Sequence, residues 1–314
     1  MTGKASTAAE ALERALSEHD AGRIAEAAAL CRAILAGDAR HAGALNLLGV
    51  IEAQHGRYAE ALPLLDASLR SEPMAEAVQW NRGNLLRLLG KAEAAGASYR
   101  RAVATQPAYA EAMYGCASLE LAAGRTDKAA SGLGRALACR LDYPEAAFVH
   151  GNLLQALGLN AAALRSYAAA LRSWPGHPEI LSNRAAVLLR DGAASEARVG
   201  LMQALAVRPD LAEAWCNLGQ VLLQIRDIAL SISALDRALA IAPRYVLALT
   251  NRGNTLSELG RLDEALASYD RALALDPADT LALYNRGNAL WRRGFNSPVH
   301  RDLGASEGVE NLLR

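Results

Sequence analysis

The sequence predicts an all-α solenoid of stacked helix–turn–helix repeats. A period of 34 residues runs from residue 8 to residue 294 without an insertion or a deletion. Its clearest members are the glycines Gly22, Gly56, Gly90, Gly124, Gly158, Gly192, Gly260 and Gly294. A fixed period in this range marks repeats that pack mainly on their neighbours. Ala, Leu and Arg are abundant while β-branched and aromatic residues are scarce, and this composition favours helix nearly everywhere.

The apolar residues of a single repeat outline two helices. In the repeat that begins at residue 246, they recur at helical spacing from Leu249, stop at Gly260, resume at Leu262 and stop at Pro277. The glycine, at position 15, suits a helix C-terminus, where a positive φ is often required. The proline, at position 32, cannot continue a helix. Each repeat is therefore predicted to be a helix, a tight turn, a second helix and a second turn.

Small residues recur where the two helices of a repeat would approach each other. Position 8 is Gly or Ala in every repeat, and position 20 is Ala in every full repeat except the seventh. Two small residues on facing helices permit a close backbone approach. In the seventh repeat Ser231 stands at position 20 and Arg226 replaces the glycine of position 15, so we expect a looser joint there.

Small residues at positions 8, 20 and 27, an aromatic residue at position 24, glycine at position 15 and proline at position 32 resemble the tetratricopeptide repeat. The resemblance covers residues 8–294 of the 314. It implies helix pairs stacked in a right-handed superhelix, with the first helix of each repeat lining a concave groove.

The period also predicts the organisation of the chain. Full repeats start at residues 8, 42, 76, 110, 144, 178, 212 and 246, and a partial repeat with a single helix starts at residue 280. Residues 1–7 are predicted to be a disordered N-terminus. Residues 295–314 lack the small–aromatic–small pattern of a repeat, and Gly304 and Gly308 interrupt the helix that Ser297 and Pro298 could start. They form either a makeshift cap or the end of a truncated or interrupted longer gene.

Composition narrows the possible partners and the compartment. Thirty-three Lys and Arg residues balance thirty-three Asp and Glu residues, which argues against a track for nucleic-acid phosphates. No apolar run approaches the ~20 residues of a membrane span, and the N-terminus lacks the apolar core of a signal peptide. We therefore expect a cytoplasmic protein that binds neither nucleic acid nor membrane. The bias towards Ala, Arg and Gly suits a GC-rich bacterial genome.

The sequence contains no pattern typical of a catalytic, cofactor or metal site. The six histidines share no ligand spacing, and no phosphate-binding loop follows a strand. The cysteines form no CxxC pair and are predicted to be small buried hydrophobes: Cys31, Cys116, Cys139 and Cys216. We predict a non-catalytic protein that needs no metal and no cofactor.

Aromatic residues at position 5 form the first candidate binding feature. They occur in three consecutive repeats as Trp80, Tyr114 and Phe148. Inside a groove such a stripe would anchor apolar side chains of a peptide. In the alternative interpretation, position 5 packs partly on the adjacent helix.

Asparagines at position 6 form the second candidate feature: Asn183, Asn217, Asn251 and Asn285. Each amide can donate to a peptide carbonyl and accept from a peptide N–H, so the row could grip an extended backbone. Other predicted groove residues lie beside it: Gln220, Asn254, Asn288, Tyr284 and Trp291. The row resembles the asparagine ladder of O-linked N-acetylglucosamine transferases, which holds acceptor polypeptides. The alternative is that each amide bonds to a neighbouring helix.

Arginines recur at position 7 in five repeats: Arg14, Arg82, Arg184, Arg252 and Arg286. We expect them to pair with carboxylates of adjacent repeats, such as Asp236 or Asp270. The alternative is that they bind an acidic ligand.

These features predict a protein-interaction scaffold that holds an extended polypeptide in its concave groove. One alternative is the substrate-recruiting arm of a bacterial glycosyltransferase that resembles the O-linked N-acetylglucosamine transferase and SPINDLY group, with its catalytic domain absent from this chain. Another is a self-assembling scaffold, since the unfinished ninth repeat leaves an apolar face at the C-terminal end that a second copy could cover.

Overall fold

The computed structural model describes residues 2–295, which form seventeen helices and no strand. The first helices of the repeats are α1 (Thr2–Asp20), α3 (Ala42–Gln54), α5 (Glu76–Leu88), α7 (Ala110–Ala122), α9 (Pro144–Ala156), α11 (Pro178–Arg190), α13 (Ala212–Gln224), α15 (Val246–Glu258) and α17 (Thr280–Phe295). The second helices are α2 (Ile24–Gly37), α4 (Tyr58–Ser71), α6 (Ala92–Thr105), α8 (Thr126–Cys139), α10 (Asn160–Ser173), α12 (Ala194–Val207), α14 (Ile228–Ile241) and α16 (Leu262–Leu275).

The chain divides into two compact halves, Met1–Leu153 and Leu154–Arg314. Within each half, the two helices of a repeat pack on each other, as α3 does on α4 and α13 on α14. Also within each half, second helices pack on the first helix of the next repeat, as α12 does on α13, and first helices of successive repeats touch, as α13 and α15 do. The predicted all-α chain of stacked helix–turn–helix repeats is confirmed.

The turn inside each repeat is a helix-ending motif that depends on glycine. Gly90 has φ +72°, and its N–H donates to the carbonyl of Arg87 over 3.0 Å. The N–H of Lys91 donates to the carbonyl of Leu86 over 2.9 Å. This pair of bonds is the Schellman motif, which places a left-handed residue just beyond the helix. The glycines at position 15 that adopt a positive φ are Gly22, Gly56, Gly90, Gly124, Gly158, Gly192 and Gly260.

The seventh repeat keeps this geometry without the glycine. Arg226 adopts φ +65°, and its N–H donates to the carbonyl of Leu223 as in the other turns. Ser231 is fully buried, and its hydroxyl donates to the carbonyl of Gly219 over 2.7 Å. The serine therefore fits between α13 and α14 with its polar group bonded. Both departures preserve the contacts between the two helices of this repeat, and the expected looser joint with the neighbouring repeats stays a prediction.

The helix boundaries differ from the sequence prediction mainly at the N-terminus. Helix α1 begins at Thr2, within the segment predicted to be disordered, where Ala5, Ala8 and Ala9 favour helix. The first helices of later repeats begin at residues 42, 76, 110, 144, 178, 212, 246 and 280. Apart from Phe295 at the end of α17, the predicted tail lies outside the described residues. No helix within residues 2–295 is long and apolar enough to cross a membrane.

The four cysteines are predicted to be buried, and the structure agrees for all but one of them. Cys31 and Cys216 are buried and Cys116 is half-buried, as small hydrophobes of the core would be. Cys139, the last residue of α8, is exposed, which differs from the prediction. None of the four cysteines takes part in a disulfide bond.

Candidate functional site

The aromatic stripe lies in the N-terminal half, and its members are half-buried: Trp80, Tyr114 and Phe148. The ring centroid of Trp80 lies 5.3 Å from that of Tyr99 in the second helix of the same repeat. The ring of Tyr114 lies 5.5 Å from that of Tyr143, just before the next repeat. The ring of Trp80 therefore packs on α6, and the ring of Tyr114 packs on the turn before α9.

The asparagines of position 6 contact the preceding repeat. Nδ2 of Asn217 donates to Oγ of Ser182 over 3.1 Å, and Nδ2 of Asn251 donates to Sγ of Cys216 over 3.3 Å. In both cases the acceptor belongs to position 5 of the preceding first helix. The donor side of these two amides is thus engaged inside the protein. Their Oδ1 atoms make no hydrogen bond to other residues in the range 2–295, so they remain acceptors.

An open pocket of about 630 Å³ lies among α13, α15 and α17 in the C-terminal half. Four predicted site residues line it: Asn254, Asn285, Asn288 and Trp291. The other lining residues are Leu223, Gln224, Arg226, Ser257, Glu258, Tyr269 and Arg292. The pocket therefore brings amides, an indole and charged groups together on the surface formed by first helices.

The remaining predicted residues of the C-terminal half lie outside the pocket lining: Asn183, Asn217, Gln220, Asn251 and Tyr284. Asn251 is only 5% exposed, whereas Tyr284 is 69% exposed on α17. The position-6 row therefore does not form one uniform surface. Its last member, Asn285, is the one that joins the pocket.

The amide of Asn254 is held in one orientation. Its Oδ1 accepts from the hydroxyl of Tyr269 over 2.8 Å and from Nδ2 of Asn285 over 2.8 Å. With the oxygen occupied twice, Nδ2 is left as the group of Asn254 that can serve a ligand. Burial raises the pKa of Tyr269 to about 12, so its hydroxyl stays protonated and donates at neutral pH.

The charged residues of the pocket come from two helices, α15 and α17, and from the turn after α13. Nη1 of Arg226 lies 3.2 Å from Oε2 of Glu258, and Nη1 of Arg292 donates to Oγ of Ser257 over 2.8 Å. Both members of the first pair are well exposed, so water screens their attraction. Two guanidinium groups and one carboxylate leave the lining with a net positive charge.

Three arginines of position 7, Arg82, Arg252 and Arg286, pair with carboxylates of the preceding repeat, whereas Arg184 pairs with Glu196 of its own repeat. Nε of Arg252 lies 2.6 Å from Oδ1 of Asp236, and Nε of Arg286 lies 2.6 Å from Oδ1 of Asp270. Nη1 of Arg252 also donates to Oγ of Ser268 over 2.9 Å. These contacts stabilise joints between repeats. An acidic ligand would have to displace them to reach Arg252 or Arg286.

Sequence reasoning missed several pocket residues. Positions 12 and 13 face the same side of a first helix as positions 6 and 9. The repeat pattern therefore predicts that Ser257, Glu258 and Arg292 lie on the same surface as the asparagines. Among residues at these positions, only Trp291 is a predicted groove residue. In the sequence Arg226 stands out only because it replaces the turn glycine, and nothing in the repeat pattern indicates where its side chain lies.

Family models described as tetratricopeptide repeat match most of the chain. One matches residues 12–73, 48–110, 81–146 and 148–208, and others match residues 212–245 and 234–267. A model described as TPR repeat matches residues 253–294. No curated protein matches the chain.

Solved structures with the same fold share little sequence with the chain. PilF of Pseudomonas aeruginosa has a TM-score of 0.63 and 17% identity, over 68% of this chain and 96% of that one. The Cut9–Hcn1 hetero-tetramer of the APC/C has a TM-score of 0.57 and 18% identity, over 85% of this chain and 52% of that one. A tetratricopeptide repeat protein of Parabacteroides merdae has a TM-score of 0.53 and 17% identity, over 79% and 98%. The chain spans about half the length of the matched Cut9–Hcn1 chain.

Proposed function

Because the chain belongs to the tetratricopeptide repeat family, we propose that it is a non-catalytic protein-interaction scaffold that holds an extended polypeptide in the concave groove lined by its first helices. Proteins built from these repeats bind protein partners. The observation that carries the proposal is the pocket among α13, α15 and α17, which gathers Asn254, Asn285, Asn288 and Trp291 on one surface.

The chemistry of this surface suits a polypeptide better than a small apolar ligand. The indole of Trp291 is 67% exposed, which leaves a large amphipathic ring available for packing. Amides beside it can donate to peptide carbonyls and accept from peptide N–H groups. An extended chain satisfies both requirements, because its backbone polar groups alternate with side chains along its length.

The asparagines of position 6 also support this proposal, but they offer a bound peptide fewer hydrogen-bonding groups than the sequence predicts. In Asn217 and Asn251 the amide nitrogen bonds to the preceding repeat, and the oxygen remains as an acceptor. Asn217, which is half-buried, would therefore accept from a peptide N–H and would not donate, whereas Asn251 is only 5% exposed and mainly joins the two repeats. The pocket residues supply donors further along the surface, so a bound chain would meet an acceptor first and donors later.

An array of random-sequence peptides, probed with the purified protein, tests the proposal. We expect the wild type to retain a subset of peptides and Trp291→Ala to lose most of that signal. Leu141→Ala, which removes another exposed apolar side chain, serves as the control and should bind as the wild type does. Equal retention by the wild type and Trp291→Ala would contradict binding at this surface.

Self-association is a second candidate, favoured by one feature of α17. In α15, the Cβ position of Gly253 faces the ring of Tyr269 from the second helix of its repeat. The equivalent Gly287 has no atom within 4 Å of its Cβ position, and Leu283 on the same helix is 50% exposed. A second copy could cover this face. Light scattering after size-exclusion chromatography over a concentration series tests the idea, and a monomer at every concentration would refute it.

The glycosyltransferase-arm alternative gains no support from the matched family models, which describe repeats alone. It stays a prediction of the sequence. Reading the DNA downstream of residue 314 for a glycosyltransferase-like open reading frame would decide it.

A further inference from the structure

The starting observation is the backbone of Arg226. Within residues 2–295 it is the one non-glycine residue with a positive φ, at +65°. Seven other repeats place glycine at this turn, where φ ranges from +72° to +81°. A left-handed conformation brings Cβ close to the following carbonyl oxygen, which disfavours every residue except glycine and, less strongly, Asn and Asp. Backbone strain of this kind is often found at functional sites.

Local contacts do not compensate for this strain. The partner of Arg226 is Glu258, at 3.2 Å, and their side chains are 75% and 49% exposed. An ion pair so exposed contributes little to stability, because water and salt screen it and two long side chains must be ordered. Stability of the repeat alone therefore gives no reason for arginine at this position. Its guanidinium does, however, lie in the lining of the pocket.

The same lining offers more hydrogen-bond donors than acceptors. Arg292 contributes a second guanidinium, which a bond to Ser257 positions over 2.8 Å. Asn254 contributes Nδ2, because its oxygen already accepts from Tyr269 and Asn285. The acceptors of the lining are the carboxylate of Glu258, which already pairs with Arg226, and the amide oxygens of Gln224, Asn285 and Asn288. Such a surface complements a ligand rich in acceptors and negative charge.

We propose that this pocket recognises an acidic side chain of the bound polypeptide, through Arg226 and Arg292. The inference rests on the proposed function and names the partner more closely: an extended segment with Glu or Asp next to an apolar residue. The carboxylate pairs with the two guanidinium groups, and Arg226 exchanges Glu258 for the ligand. Nδ2 of Asn254 donates to a backbone carbonyl, and the apolar neighbour packs on Trp291.

Two capped synthetic peptides test the proposal directly. One is built from Ser, Leu and Glu, and the other carries Gln in place of every Glu. By titration calorimetry we expect the wild type to bind the Glu peptide about fivefold more tightly, which corresponds to about 1 kcal/mol, and we expect this preference to fall as salt is added. Arg226→Gly and Arg292→Ala should each remove most of the preference.

A control variant with the same change in charge distinguishes the effect of the pocket arginines from the overall electrostatic field of the protein. Arg244→Gly removes another exposed arginine of the same repeat, outside the pocket lining, and should keep the full preference. Because Arg226→Gly restores the residue that other repeats use, a loss of binding cannot be attributed to unfolding. Thermal melting of each variant checks this point.

The outcomes distinguish this inference from the proposed function. Equal affinity for the two peptides would overturn the acidic preference and leave groove binding intact. A preference that survives both Arg226→Gly and Arg292→Ala would place the anion elsewhere and also overturn it. If the wild type binds neither peptide, the acidic pocket is refuted, and the random-peptide array then decides whether the groove binds polypeptides at all.

Discussion

The Cβ position of Gly253 lies 2.4 Å from Cε1 of Tyr269, closer than any two such carbon atoms can remain. Gly83 and Tyr99 have the same relationship in the N-terminal half, also at 2.4 Å. In these two repeats the buried tyrosine ring rests directly on the backbone of the first helix. This contact lets the hydroxyl of Tyr269 reach Oδ1 of Asn254, at 2.8 Å, one helical step beyond the glycine. Packing in the core therefore sets the orientation of a pocket amide.

We expect Gly253→Ala to destabilise the protein by about 1–3 kcal/mol, because the added methyl group must displace a ring that is fully buried. The control is Gly287→Ala, whose Cβ meets nothing within 4 Å and which gains helix propensity of up to about 1 kcal/mol. Denaturant unfolding measured on both variants checks the prediction. It fails if the two substitutions shift the free energy of unfolding in the same direction.

A substitution in the strained turn of the seventh repeat should change the free energy of unfolding in the opposite direction. Arg226→Gly should raise the free energy of unfolding by about 1 kcal/mol, because glycine adopts φ +65° without the clash that a Cβ causes. Loss of the exposed pair with Glu258 subtracts little. The matched change Gly260→Ala, at φ +79°, should lower stability by a similar amount. Denaturant unfolding in which Arg226→Gly is less stable than the wild type would contradict the strain.

The sequence predicts the helices and turns of this protein well because their causes are local. Gly90 and its equivalents end a helix through bonds to residues three and five positions earlier, so the signal lies within a few residues. The pairing of Arg252 with Asp236 was also predictable, since the period fixes which positions of adjacent repeats face each other.

The candidate site was predicted less completely, because its geometry depends on partners about one repeat away. The donor of Asn251 bonds to Cys216, 35 residues earlier, and nothing in the asparagine itself indicates that choice. Asn254, in contrast, lines the pocket, and its amide oxygen accepts from both Tyr269 and Asn285. Exposure and hydrogen-bond direction separate these two asparagines, and a sequence pattern supplies neither.

The buried thiol of Cys216 predicts a loss of stability at alkaline pH. Burial raises its pKa from the ordinary 9.0 to about 11, because a thiolate would be poorly solvated there. The folded state thus binds this proton more tightly than the unfolded state. The resulting stabilisation is complete below about pH 9 and is lost as the pH rises towards 11.

Denaturant unfolding across this pH range measures the effect. We expect the free energy of unfolding to fall less steeply with pH in Cys216→Ala than in the wild type, although the variant is less stable at neutral pH. Cys139→Ala, which removes an exposed thiol, should keep the slope of the wild type. Parallel slopes for the wild type and Cys216→Ala would show that another group causes the alkaline transition.

The last prediction distinguishes an asparagine that joins two repeats from an asparagine that lines the pocket. Asn251 is 5% exposed and donates to Cys216 across a joint between repeats, so Asn251→Ala should lower the free energy of unfolding by about 1 kcal/mol. Asn288 is exposed on α17 in the pocket lining, so Asn288→Ala should leave stability unchanged and weaken the retained peptides on the array. Measuring unfolding and peptide retention on both variants separates the roles. If Asn251→Ala unfolds as the wild type does but loses peptide, the row of position-6 amides binds the ligand directly, and its bond to the preceding repeat is incidental.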